Sequence, residues 1–347
     1  MKVLFVSLMT YSKVGGIETF NKYFIEALKE NKIETKVLSL HDNFNDDYIK
    51  SYSSNKLLFI KDILLEINRY DIVVWSHVNL LPIFLLSKYF TKAKHILITH
   101  GIEVWQKLDF IKNSAIKKID KILTVSNYTK NKIVELFDIE NQKIDIFPNC
   151  IKLKNKSSKL NPYKQGFNIL TILRLDESYK LQSILNILDA IKMLNDEEIY
   201  FTIIGKGNRQ DYIKEEIIKR NLENKVDLKG FIKDTATYLE YCDIFTLISD
   251  REGFGIVYLE AMEYCKPCFS AKNCGSSDVV IDEHNGYSFK VNDIDTLVEK
   301  IKLLKNNKDL KDKLGQNGNK LLLEKFTFER YKENQKNMLE ELVNGNI

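Results

Sequence analysis

The chain alternates short apolar runs with helical periods, and it does so twice. In the first half "KVLFVSL" precedes the helix-like "IETFNKYFIEALKE", followed by "ETKVLSL", "DIVVWSH", "HILITH" and "KILTVS". After the polar stretch Lys152 to Gly166 the pattern restarts with "FNILTILRL", "QSILNILDAIKML", "IYFTIIG", a helix expected from Gln210 to Asn221, "KVDLKG", "DIFTLIS" and "PCFSA". Continuous rather than alternating apolar runs are strands buried on both faces, and strands that alternate with helices build βαβ units around a parallel sheet. Two restarts predict two α/β domains, residues 1–160 and 161–325, with "TFERYKENQKNMLEELV" as an amphipathic helix at 326–347 packing back across them. A length of 347 residues with 44% hydrophobic content is sufficient for two packed cores.

Charge and cysteines narrow the function classes. The first 160 residues hold 25 Lys/Arg against 17 Asp/Glu, so the basic excess of a chain of net charge +4 lies there. Such a face suits an anionic ligand or surface, but no nucleic-acid recognition motif accompanies it. The apolar start "VLFVSL" is too short for a signal peptide and reads as a first buried strand. "VNLLPIFLLSKYF" is too short to span a bilayer. Five cysteines without a leader fit reduced core thiols in a cytoplasmic protein. Cys265-x-x-Cys268 has no second pair to complete a zinc site.

Chemistry in an open parallel sheet gathers just beyond the carboxyl ends of strands. The segment "SDREGFGIVYLEAMEYCKPCFS", residues 249 to 270, stands at such a place and carries Glu252 and Glu260. In one continuous helix the two carboxylates would lie roughly 80° apart and about 12 Å along the axis. Gly253 and Gly255 disfavour that, so the helix is expected to start near Gly255 with Glu252 on the turn before it. Its first N–H groups then face an anion. Elsewhere, Gly15-Gly16 opens a strand-to-helix turn that would let a phosphate approach the backbone or would simply be a tight turn. Arg174 and Lys180 follow another strand and could clamp a diphosphate. His100 ends a strand in "ITHGIEVW". The Gly205-x-Gly207 turn lacks the third glycine of a dinucleotide fingerprint, which argues against a nicotinamide cofactor.

Taken in order, "GGIE", "THGIE", "LTVSNYT", "IFPNC", "LRLDESYK", "IIGKG", "DLKGFI", "YCDIFTLIS" and "EGFGIVYLEAM" resemble retaining glycosyltransferase family 4, glycosyl transferases group 1, over nearly the whole chain. The most specific element is the E-x7-E pair Glu252 and Glu260. The resemblance implies the GT-B fold, two Rossmann-like domains with parallel sheets facing a central cleft. It also implies sugar transfer from a nucleotide-diphosphate sugar to a saccharide or lipid-linked saccharide acceptor, in surface polysaccharide biosynthesis. Glu252 would orient the donor sugar with His100 near the anomeric carbon, and these two form the implied catalytic pair. The backbone of Gly253, Phe254 and Gly255 would touch sugar or phosphate, while Glu260 would accept from the ribose hydroxyls. Arg174 and Lys180 would hold the diphosphate, helped by Gly15 and Gly16, and Gly230, Phe231 and Ile232 would flank the base.

Leu181 stands where the family often has glycine, and Asn149-Cys150 where it often has Asn-Gly; neither departure removes a charged contact. No D-x-D triad ends a strand, so neither metal nor other cofactor is expected. A GT-B sugar-nucleotide epimerase and a non-catalytic nucleotide-sugar-binding scaffold are the competing readings. For the acceptor, "VWQKLDFIKNSAIKKIDK" from Val104 to Lys121 is read as a lysine-rich surface helix. Glu103, Trp105 and Lys107 would lie on the acceptor side, with peripheral contact to the inner face of the cell membrane if that helix meets anionic lipid.

Overall fold

The computed structural model describes residues 1–13, 15–154, 160–176 and 178–344, so part of the polar stretch between the two patterns lies outside the described residues. The chain divides into two compact units, Met1–Cys150 joined by the segment from Phe326 onward, and Ile151–Lys325.

Seven parallel strands form the sheet of the first unit: β1 (Lys2–Ser7), β2 (Glu34–Ser39), β3 (Ile49–Ser51), β4 (Ile72–Trp75), β5 (Lys94–Thr99), β6 (Lys121–Thr124) and β7 (Ile144–Ile146). Their order is β3-β2-β1-β4-β5-β6-β7. Every residue of β4 and β6 is buried, as expected of strands covered on both faces. The helix Gly16–Glu30 buries Phe20, Phe24, Ala27 and Leu28, spaced as one face of a 3.6-residue period. Onto it packs the last helix, Phe328–Asn344: Gln335 Nε2 donates to the Phe24 carbonyl at 2.8 Å, and Asn31 Nδ2 donates to the Lys332 carbonyl at 3.0 Å. Tyr331 joins an aromatic cluster with Phe20 and Phe147. The final helix is thus built into the core of the first unit.

Six parallel strands form the sheet of the second unit: β8 (Phe167–Ile172), β9 (Ile199–Ile204), β10 (Val226–Gly230), β11 (Ile244–Leu247), β12 (Cys268–Ala271) and β13 (Gly286–Phe289). They run in the order β10-β9-β8-β11-β12-β13. Both sheets therefore start in the middle, wind outward to one edge, return, and wind to the other. In open parallel sheets, ligands bind beyond the strand ends at such a reversal. The reversal falls between β1 and β4 in one unit and between β8 and β11 in the other. Cys268 is buried in β12, whereas Cys265 is exposed at the end of the preceding helix with φ +54, so only one of the pair is a core cysteine.

Strands β3, β7 and β13 were not legible in the sequence, because β3 and β7 are only three residues long and β13, "GYSF", carries no continuous apolar run. The helix expected to begin near Gln182 begins at Ser178, which places Lys180 in its first turn rather than ahead of it. The surface helix expected over Val104 to Lys121 does not form. A single turn spans Ile102–Val104 and a seven-residue helix spans Phe110–Ile116, capped by Asp109, whose side chain accepts from the Lys112 N–H at 2.9 Å.

Candidate functional site

In the second unit the two loops at the reversal carry the residues singled out by the sequence. The helix after β11 runs Ile256–Glu263 with Gly255 as its N-cap, so Glu252 stands on the turn before it and Glu260 lies inside it. Gly255 has φ +89, and a Cβ there would strike the Tyr258 ring, so glycine is required on both counts. Tyr258 is fully buried with its hydroxyl on the Leu247 carbonyl, and Phe254 is buried beside it. These contacts pin the start of the helix from below.

Across the reversal, Lys180 Nζ lies 3.8 Å from Glu252 Oε2, with both side chains about four-fifths buried. The segment after β11 is also tied to the helix Ser178–Leu194 by the Ile248 N–H, which donates to Ser183 Oγ at 2.6 Å. A third loop supports Glu252 from behind. The Gly275 N–H donates to the Glu252 carbonyl at 2.8 Å, and the two backbones pack so closely that a Cβ at Gly275 would overlap the Gly253 carbonyl. Arg174, half-exposed after β8, donates to Asp176 Oδ2 at 2.9 Å. The carboxyl of Glu260 is raised above its ordinary range by burial and by Glu263, with Lys154 opposing. Gly230 ends β10 with φ +70 and gives its carbonyl to the Gly205 N–H at 2.8 Å, while Phe231 beside it is 68% exposed and Ile232 is half-buried.

Neither glycine of Gly205-x-Gly207 tolerates a side chain, since a Cβ would overlap Leu173 at the first and the Leu175-Asp176 peptide at the second. That turn backs the segment bearing Arg174 rather than forming half of a dinucleotide fingerprint.

The first unit assembles a second group of the expected residues. Gly15 caps the helix Gly16–Glu30 with an extended backbone, φ −174, and Gly16 does not have positive φ. A Cβ on Gly16 would meet nothing within 4 Å. No backbone requirement therefore explains Gly16, and the tight-turn reading loses its support there. We predict that Gly16→Ala leaves the melting temperature unchanged or raised, since alanine is favoured over glycine in a helix by about 1 kcal/mol. Calorimetric melting checks this, and a lowered melting temperature would mean that the turn does require glycine at this position.

The preceding loop is held by a residue the sequence reading passed over. The buried Asp42 carboxylate accepts from the backbone N–H groups of Thr10 at 2.9 Å and Ser12 at 2.7 Å, from Tyr11, and from Ser39 Oγ at 2.7 Å. Burial pushes its carboxyl up, but the hydrogen bonds from Ser39, Ser12 and Tyr11 win and hold it below the usual value. The one signal was an acid three residues beyond the second strand, in "SLHD".

His100 Nε2 lies 3.1 Å from the Ser76 carbonyl, and its backbone N–H donates to Glu103 Oε1. Burial lowers its imidazole to about 4, although the Ser76 contact opposes this, so the ring is neutral near pH 7. A carbonyl can only accept, which puts the proton on Nε2 and leaves Nδ1 as an acceptor. His100 can thus exchange hydrogen bonds with a substrate hydroxyl but supplies no positive charge.

Glu103 serves the His100 backbone, and Trp105 turns inward: its Nε1 donates to Thr129 Oγ1 at 3.2 Å and its ring packs edge-on against Tyr128. These contacts leave Trp105 half-buried, and Lys107 is exposed. Among the described residues no group of three or more His, Cys, Asp or Glu side chains could hold a metal ion, and no helix is long and apolar enough to cross a membrane.

Two family models cover nearly all of this arrangement: "Glycosyltransferase Family 4" matches residues 14–155 and "Glycosyl transferases group 1" matches residues 154–321. An uncharacterised glycosyltransferase of Methanocaldococcus jannaschii is 29% identical over 99% of each chain. A poly(ribitol-phosphate) alpha-N-acetylglucosaminyltransferase of Staphylococcus aureus is 28% identical over 61% of this chain and 42% of its own. The crystal structure of Anabaena HepE in complex with UDP superposes with a TM-score of 0.84 at 18% identity, over 98% of this chain and all of that one, which gives this chain the GT-B architecture of paired Rossmann-like domains. The segments bearing Gly15 and Gly16 and those bearing Arg174, Lys180, Glu252 and Glu260 fall inside the two matched regions, and the chain is a glycosyltransferase of the family 4 type.

Proposed function

We propose that the second unit binds a nucleotide-diphosphate sugar at the β8/β11 reversal and that the enzyme transfers the sugar with retention of configuration, without a metal ion, to a saccharide or lipid-linked saccharide of a surface polymer. The observation that carries this reading is the Lys180–Glu252 pair across the reversal, 3.8 Å apart, at the start of the helix Ile256–Glu263. An ammonium and the positive end of a helix suit a diphosphate, and a carboxylate next to them suits sugar hydroxyls. Arg174 adds a second cation after β8.

In the proposed reaction the bond from the anomeric carbon to the diphosphate oxygen breaks as an acceptor oxygen bonds to that carbon on the same face. The acceptor proton passes to the departing diphosphate. Arg174, Lys180 and the helix start stabilise the growing negative charge, which is the task a metal performs in other transferases. Glu260 holds the ribose, and neutral His100 of the first unit is available to hydrogen-bond a substrate hydroxyl. The UDP in the HepE complex supports this donor class, and the diphospho-undecaprenol-linked saccharides named for relatives of Campylobacter jejuni and Escherichia coli support this acceptor class.

Membrane contact is proposed for the first unit, where Phe110 is 87% exposed beside exposed Ile111, Lys117 and Lys118. Apolar groups flanked by lysines suit an anionic lipid surface.

The test is nucleotide release from UDP-, GDP-, ADP- and dTDP-sugars in EDTA, with product configuration read by NMR. Selective release and a retained linkage are expected. Release abolished by EDTA and restored by a divalent ion would overturn metal independence, and an inverted linkage would overturn retention. Sedimentation with anionic vesicles should fall with salt; its absence at low salt would restrict the acceptor to soluble saccharides.

A further inference from the structure

Arg174 is half-exposed on a loop, yet a diphosphate clamp works best with its guanidinium held in place before the donor arrives, because ordering a long side chain on binding weakens affinity. The structure contains a device that does this. Asp176 faces two ways: Oδ2 accepts from Arg174 Nη2 at 2.9 Å, and Oδ1 accepts from the Asn208 N–H at 2.9 Å. Asn208 belongs to the turn after β9, and that turn is locked to the Arg174 loop by backbone bonds in both directions. The Leu175 N–H donates to the Lys206 carbonyl at 3.2 Å, and the Arg209 N–H donates to the Leu175 carbonyl at 3.0 Å. Gly207 permits the approach, since any side chain there would overlap Leu175 and Asp176.

We propose that Asp176 is a positioning residue for donor binding: it transmits the rigidity of the Gly205-x-Gly207 turn to the Arg174 guanidinium and presets the fork for the diphosphate. The inference rests on the proposed reading of Arg174 as a diphosphate ligand. One terminal nitrogen of the fork is engaged by Asp176, and the guanidinium retains further N–H donors for phosphate oxygens. Asp176 itself repels an anion, so its benefit is geometric and vanishes when Arg174 is removed. That non-additivity separates positioning from general support of the loop.

The experiment is a double-variant cycle on the full chain, reading affinity by calorimetry for whichever of UDP, GDP, ADP or dTDP binds the intact protein most tightly. Arg174→Ala is expected to weaken binding about 30-fold. Asp176→Ala is expected to weaken it about 5-fold to 10-fold in the intact protein and less than about 2-fold in the Arg174→Ala background. Asp176→Asn keeps an acceptor for the Asn208 N–H but presents an amide to Arg174, so it should match Asp176→Ala in affinity while keeping the parent melting temperature. Unchanged or tighter binding by Asp176→Ala, or the same loss with and without Arg174, would overturn the proposal. Normal binding by Arg174→Ala, or no binding of any nucleotide by the intact protein, would overturn the diphosphate reading and the proposal with it.

Discussion

Glu252→Gln is expected to lower donor turnover by on the order of 100-fold, the scale of losing one preorganised polar contact to a reacting group. The substitution keeps the shape of the side chain and the backbone bond from Gly275 to the Glu252 carbonyl, but it removes the charge facing Lys180 at 3.8 Å. Lys180→Ala should cost a similar factor, because it withdraws the ammonium proposed for the diphosphate and leaves the Glu252 carboxylate without that cation. The double variant should be little worse than either single one, since groups that act as a unit are strongly non-additive. Initial rates of nucleotide release for the three variants and the parent decide this. Losses under about 3-fold for Glu252→Gln, or full additivity of the two, would sink the assignment of the pair to one site. Lys180→Ala should also lower the melting temperature, because truncating one partner of a largely buried ion pair is destabilising, so the rates are compared at temperatures where every variant is folded.

Gly275→Ala is expected to damage both stability and activity, although Gly275 carries no functional group. Its α-carbon packs directly against the Gly253 carbonyl, and its N–H serves the Glu252 carbonyl, so a methyl group must push two backbones apart. Backbone offers no flexible end to yield, unlike the long side chain that a Cβ on Gly15 would meet. A cost of about 2–4 kcal/mol follows from comparable overpacking, equivalent to a fall in melting temperature of roughly 4–16 °C for a unit of this size. At temperatures where the variant remains folded, nucleotide release should still drop at least about 10-fold, because a displacement near 1 Å at a positioned group costs up to about 100-fold. Calorimetric melting together with release rates tests both parts. A variant with parental stability and rate would mean that the Glu252 loop is not set by this contact.

Much of the fold was written locally. The buried runs that became β1, β4, β5, β8, β9 and β11, and the period of the helix Gly16–Glu30, depend only on residues near one another in the chain, so pattern reading recovers them. The same holds for the placement of Glu252 before, and Glu260 within, a helix started by Gly255, because glycine restricts where a helix begins. Where the local signal was ambiguous, reading failed. The lysine-rich stretch after Val104 has helix-forming composition, but Asp109 caps a new short helix within it and Trp105 is drawn inward by Thr129 and Tyr128.

By itself, the sequence determined two parallel α/β units, the strand-end location of the polar residues, and an ordered motif set specific enough to name the family. Only the tertiary structure decided which of those strand ends meet. Strand order places the loops after β8 and β11 at one reversal, and so brings Lys180 to Glu252 across 72 residues of chain. It also carries Gly275 beneath the Glu252 loop, joins Asp176 to the turn after β9, and aims Asp42 at the loop before Gly15. The physical reason is that hydrophobic periodicity records which face of an element is buried, while the partner of a loop is fixed by sheet order, which no local pattern contains.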